Sequence, residues 1–150
     1  LQVNRAQDVN AIEAAVWKGA GTMPFFCEGA DGSKIIPDPE STTTTIKVKT
    51  VDLADYINRP VDLVKVDIEG AEFVVIPHVQ SKLNLVKNIL IECHLDNKNI
   101  AQFAKILAVL ASTEFQVTIN SYGVWRDLVR KPEKLPNEFD QYLLVAAWRE

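Results

Sequence analysis

Apolar and polar positions change rhythm along the chain, and the changes mark its elements. The first four residues read as the end of a helix, and residues 10–17 (NAIEAAVW) form a short β-capable run. A turn containing Gly19 and Gly21 follows, then a second strand over 23–28. Gly29, Gly32, Pro37, Pro39 and a run of threonines give 29–45 the chemistry of a loop or loosely paired insertion. Residues 45–50 alternate, with Ile46 and Val48 on one face and Lys47 and Lys49 on the other, as in a strand. Asp52 is placed to cap a short helix through Ile57.

Beyond residue 60 the pattern becomes regular. Residues 61–67 make a nearly continuous apolar strand, 69–79 a helical connection ended near Pro77, and 88–93 (NILIEC) a second buried strand. Ile100, Phe103, Ala104, Leu107 and Leu110 recur at helical spacing within 97–111. Strands are expected over 115–120 and 141–148. The charged, proline-broken stretch between them predicts no helix, so these two strands form an antiparallel pair at one edge. Buried strands alternating with helices otherwise predict a mostly parallel sheet covered on both faces. One α/β domain over residues 1–150 is expected, with an insertion at about 29–45.

Composition changes this picture little. At 150 residues, 47% hydrophobic and 24% charged, the chain builds a core and is not disordered. Its apolar runs fall far short of the roughly twenty residues a membrane helix needs. A formal charge of -4 with no Lys/Arg cluster argues against a nucleic-acid surface. Cys27 and Cys93 each sit in an apolar or strand-like run, where cysteine behaves as a small hydrophobe, and no Cys/His spacing for zinc is present. A reducing, cytoplasmic setting follows as the expectation.

Candidate chemistry lies at the carboxyl ends of the parallel strands, where open sheets bind their ligands. Asp67 directly follows the apolar VDLVKV and should point into the crevice, because a carboxylate left in the core would lack a partner. Gly70 allows a tight turn and close approach of a ligand. Glu69 and Glu72 lie near a helix start, where acids are also favoured without any chemistry. Lys65 is expected to pair with one of these acids. Glu92 and His94 are two apart on one strand, hence on one side, and a carboxylate beside an imidazole orients a proton-accepting histidine. A plain polar strand end is the competing reading of His94. His78 follows Pro77 in a turn and reads as a surface residue, and Trp17, Trp125 and Trp148 as packing.

The segment VDLVKVDIEGAE (61–72), preceded by TIKVKTVDLADYI (45–57) and followed by NILIECH (88–94), resembles the FkbM-type methyltransferase family in order and spacing. The QYLLV strand (141–145) and NAIEAAV (10–16), similar to the family's third strand, extend the likeness over nearly the whole chain. The resemblance implies a Rossmann-like class I fold that uses S-adenosylmethionine to methylate a hydroxyl oxygen on a sugar or other small metabolite. By position it puts Ala15 and Val16 near the adenine, Asp67 facing donor and acceptor, and Glu92 and His94 on the acceptor side; Glu69 is a further candidate for binding the acceptor. The family's first two strands, with the glycine-rich turn that cradles the cofactor's methionine, have no counterpart; the chain reads as the C-terminal part of such an enzyme.

On this reading His94, held by Glu92, is the general base and Asp67 fixes the donor or the acceptor hydroxyl. A magnesium-like ion on Asp67, Glu92 and His94 is the metal-assisted alternative. Two readings come from other classes. Asp67-Ile68-Glu69 has the acidic-x-acidic form with which sugar-nucleotide glycosyltransferases hold a metal diphosphate. A non-catalytic remnant would show itself by dimerisation or poor solubility through an uncovered apolar face.

Overall fold

The alternation of the middle of the chain is realised as two sheets. The computed structural model describes residues 8–27, 33–37, 45–95, 98–122 and 141–149. The first sheet contains β1 (Ala15–Trp17), β2 (Gly21–Phe26), β3 (Lys34–Ile35) and β4 (Thr45–Asp52) in the order β1-β4-β2-β3. β1 runs parallel to β4, whereas β2 is antiparallel to both β4 and β3. The link at 18–20 is too short for a parallel crossover, and β1 and β2 end up flanking β4. The buried Thr50 donates its hydroxyl to the Gly19 carbonyl at 2.9 Å and ties this link to β4.

The second sheet contains β5 (Val61–Val66), β6 (Val86–Leu95), β7 (Gln116–Tyr122) and β8 (Gln141–Trp148) in the order β5-β6-β8-β7. β5 and β6 are parallel, joined by α1 (Glu72–His78) and a 3-10 segment, Gln80–Leu85. α2 (Ile100–Ser112) connects β6 to β7. β7 and β8 form the expected antiparallel pair, and β8 inserts between β7 and β6, antiparallel to both.

Two expectations are therefore corrected. The sheet is not mostly parallel: among the described strands only β1–β4 and β5–β6 pair in parallel. Nor is it covered evenly. Ile89, Ile91, Cys93, Val145 and Ala147 are buried in one core with Ile76, Val79, Ile106 and Leu110 from the helices. On the opposite face Leu90, Leu144 and Ala146 are half-buried, Trp148 is 38% exposed and Leu63 58% exposed. Among the described strands β5 thus lies at an edge with one open face, and is not the buried strand its apolar run suggests.

Local chemistry explains the joints. Asp52 accepts from the Ala54 N–H at 2.8 Å and caps the 3-10 turn Leu53–Asp55, in the place where a short helix was expected. Its other oxygen stands 2.8 Å from His78 Nε2 and links the end of β4 to the end of α1. Burial raises the Asp52 pKa, but the Ala54 N–H and His78 outweigh it and hold the carboxyl below its ordinary range. Cys93 is fully buried, and burial pushes its thiol up to about 12, which makes it chemically quiet. Cys27, expected as a small hydrophobe, is exposed. Trp17 is half-buried. Trp125, the loop at 121–140 beyond Tyr122, most of the 29–45 insertion and the first residues fall outside the described part. Among the described residues no helix is long and apolar enough to cross a membrane.

Candidate active site

The crevice residues are set by what happens directly after β5. Asp67 leaves the strand, and Ala71 N–H closes a turn on the Ile68 carbonyl at 3.2 Å. The two central residues of that turn, Glu69 and Gly70, have φ of 52° and 90°. Positive φ at both positions is the pattern of a type I′ turn, which suits glycine at the second position and asparagine or aspartate at the first. Glutamate at the first position is strained. The turn starts α1 so that Glu72 lies on its core face beside Val75, Ile76 and Val79, all 0% exposed like Glu72 itself.

Glu72 has a complete set of donors. One oxygen accepts the Gly70 N–H at 2.8 Å, and the other accepts the His94 backbone N–H at 2.9 Å and lies 3.4 Å from His94 Nδ1. His94, at the end of β6, is 2% exposed, and its Nε2 stands 3.4 Å from a Glu69 carboxylate oxygen. Asn99 donates to the His94 carbonyl at 2.9 Å and fixes the backbone behind the ring. Asp67 is exposed and pairs with Lys65 at 2.7 Å, the ion pair expected for that lysine.

Asp67, Glu69 and His94 thus come together, with one ligand-type atom of each within 4.8 Å of the others. Glu92 does not take the place foreseen for it. It is half-buried on β6 opposite Leu144, and the carboxyl groups within 3.4 Å of the imidazole belong to Glu72 and Glu69. Ala15 and Val16 sit half-buried on β1 in the other sheet, outside this cluster. Glu72 was legible only as an acid at a helix start. The signal that it is more was present in the 72, 75, 76, 79 spacing, which puts an acid on an otherwise apolar helical face.

Electrostatics follow the geometry. Burial disfavours the charged form of His94, but the hydrogen bond to Glu72 and the negative charges of Glu72, Glu69 and Glu92 overcome it and raise its pKa. Burial raises the Glu69 pKa; His94 opposes this, and the neighbouring Asp67, Glu72 and Glu92 add to it. Glu69 is therefore both backbone-strained and electrostatically disfavoured. Replacing it with asparagine, which tolerates positive φ, is expected to stabilise the fold by about 0.5–1 kcal/mol. Urea unfolding checks this, and a loss of stability of similar size would refute the strain argument.

A side chain at Gly70 would meet nothing within 4 Å, so the space beside this turn is open. Among the described residues, however, no strand runs into a glycine-rich turn and helix that would cradle a nucleoside cofactor. Gly19 and Gly21 serve the link between β1 and β2. The described residues therefore supply no cradle for such a cofactor.

Searches of curated proteins and of solved structures find no match. The methyltransferase FkbM domain matches residues 3–117, and that span contains Asp67, Glu69, Glu72 and His94. Covering well over half of the sequence, the match shows that the chain belongs to the FkbM methyltransferase family.

Proposed function

We propose that the protein takes part in methyl transfer from S-adenosylmethionine to a hydroxyl oxygen of a sugar or other small metabolite, with the Asp67–Glu69–His94 cluster as the acceptor site. The observation that carries this reading is the buried Glu72 holding His94, which leaves Nε2 toward the crevice acids. S-adenosylmethionine, when bound, supplies an electrophilic methyl group and leaves as the neutral thioether. A hydroxyl oxygen that takes the methyl must lose its proton, and a tuned imidazole in this position accepts it at Nε2. Glu72 keeps the ring in the matching tautomer, with hydrogen on Nδ1. Asp67 and Glu69 hold the acceptor by its hydroxyl groups, and alignment of the reacting atoms supplies most of the rate. Ala15 and Val16 are assigned to the adenine side on family resemblance alone.

The test is a transfer assay with the intact protein, methyl-labelled S-adenosylmethionine and a panel of sugars and hydroxylated metabolites. Label is expected in a methyl ether, which resists alkaline hydrolysis. Label recovered only as an alkali-labile ester or on nitrogen would sink the hydroxyl assignment. No transfer to any acceptor would favour the non-catalytic reading.

A further inference from the structure

We infer that Asp67, Glu69 and His94 form a binding site for one divalent first-row cation, with Glu72 as the group that orients the histidine. The inference rests on reading this cluster as the acceptor site and deepens it. An ion here lies where the acceptor oxygen binds, and it would take over from Nε2 the task of drawing off the hydroxyl proton, which then leaves to solvent.

The three donors come from three separate places: the end of β5, the strained turn and the end of β6. They are mixed in kind, two carboxylate oxygens and one imidazole nitrogen, a set suited to Mn2+ or Zn2+ more than to Mg2+. Their atoms lie within 4.8 Å of one another. Ligands about 2.1 Å from a shared ion are at most about 4.2 Å apart, so the group must contract slightly. The contraction falls on Asp67, which is exposed, and on Glu69, which is partly exposed, while His94 stays fixed.

The backing of His94 is the independent sign. A ligating histidine almost always donates its other ring N–H to a carboxylate or carbonyl, which aims the lone pair at the metal. Glu72, 0% exposed and 3.4 Å from Nδ1, occupies that position. The far nitrogen, Nε2, stands 3.4 Å from Glu69, so the imidazole is held by one carboxyl group and faces another. Lys65, 2.7 Å from Asp67, already places a cation beside the cluster and competes with the ion for that carboxylate.

Titration of the intact protein with Mn2+, in the absence of cofactor and acceptor, reads the site directly through the loss of the free Mn2+ paramagnetic resonance signal. One equivalent is expected to bind at micromolar concentration. Asp67→Asn and Glu69→Gln, at accessible positions that leave the core intact, should each weaken binding about tenfold or more, and Glu72→Gln about 10–100-fold although it touches no ion. Lys65→Met should tighten binding about threefold by removing the competing charge. Asp62→Asn, an exposed acid at the far end of β5, should change nothing. No bound Mn2+ at millimolar concentration overturns the inference. So does binding that Asp62→Asn weakens as much as Glu69→Gln does, since that is diffuse attraction to an acidic surface. Because neither donor nor acceptor is present, a failed titration leaves the methyl-transfer reading standing. A protein that binds Mn2+ and transfers no methyl loses that reading and keeps the cation site.

Discussion

Glu72→Ala is expected to cost about 3–5 kcal/mol of folding stability, a large share of the roughly 5–15 kcal/mol typical of a folded domain. The mechanism is loss of an acceptor, not loss of an isolated attraction. Without the Glu72 oxygens the backbone N–H groups of Gly70 and His94 lose the partners they hold at 2.8 and 2.9 Å, and the buried His94 ring loses its Nδ1 partner. Each stranded donor costs about 1–3 kcal/mol, and the vacated volume adds a cavity term. Glu72→Gln isolates the donor effect. Its amide keeps one oxygen, which can serve His94, but turns an N–H toward the Gly70 N–H, so about 1–3 kcal/mol is expected. Urea unfolding of the three proteins tests the ranking. A loss below 1 kcal/mol for alanine would mean that water replaces the carboxyl group, and the buried anchor would then be unimportant to the fold.

How far this site was readable from the sequence depends on the distance over which each contact forms. Lys65 was expected to pair with one of the nearby acids, and Asp67, two residues on, is that partner at 2.7 Å. His94 at the end of β6 followed from the point at which an apolar run becomes polar. The choice of Glu92 as its partner failed for a physical reason. Side chains two apart share a face with Cα atoms about 6.4–6.8 Å apart. The long Lys65 side chain spans that gap to reach Asp67, whereas the carboxyl groups 3.4 Å from the His94 ring are those of Glu72 and Glu69. The partner that arrives is Glu72, 22 residues away, delivered by the turn after β5 and by the parallel register that sets Val66 beside Ile91. Locally the sequence carries only the acid at 72 on the otherwise apolar 72, 75, 76, 79 face, which marks Glu72 as buried without naming its partner. Strand order was illegible in the same way. The alternation that correctly marked residues 141–148 as a strand carries no information that it inserts between β6 and β7. Nor does the continuous apolar run of β5 disclose that the strand lies at an edge.

His94→Gln is expected to reduce methyl transfer by about 10²–10⁴-fold, the usual contribution of a positioned general base. Glutamine retains a side-chain donor that can reach Glu72, so the change removes the proton-accepting nitrogen while disturbing the core less than alanine. The assay is run with EDTA, where the imidazole and not an ion must take the proton. Two pH slopes then come from one titration, with opposite signs. His94 has a raised pKa, so its pairing with Glu72 and Glu69 stabilises the fold fully below the unfolded histidine value of about 6.5 and loses that contribution as pH rises through the higher folded value. Proton acceptance needs the neutral ring, so turnover should rise over the window in which stability falls. The wild-type protein should show both slopes and His94→Gln neither. Turnover in His94→Gln that equals wild type would remove His94 from the reaction. A wild-type rate flat across this window, with the stability slope intact, would leave the imidazole as a structural partner of Glu72 alone.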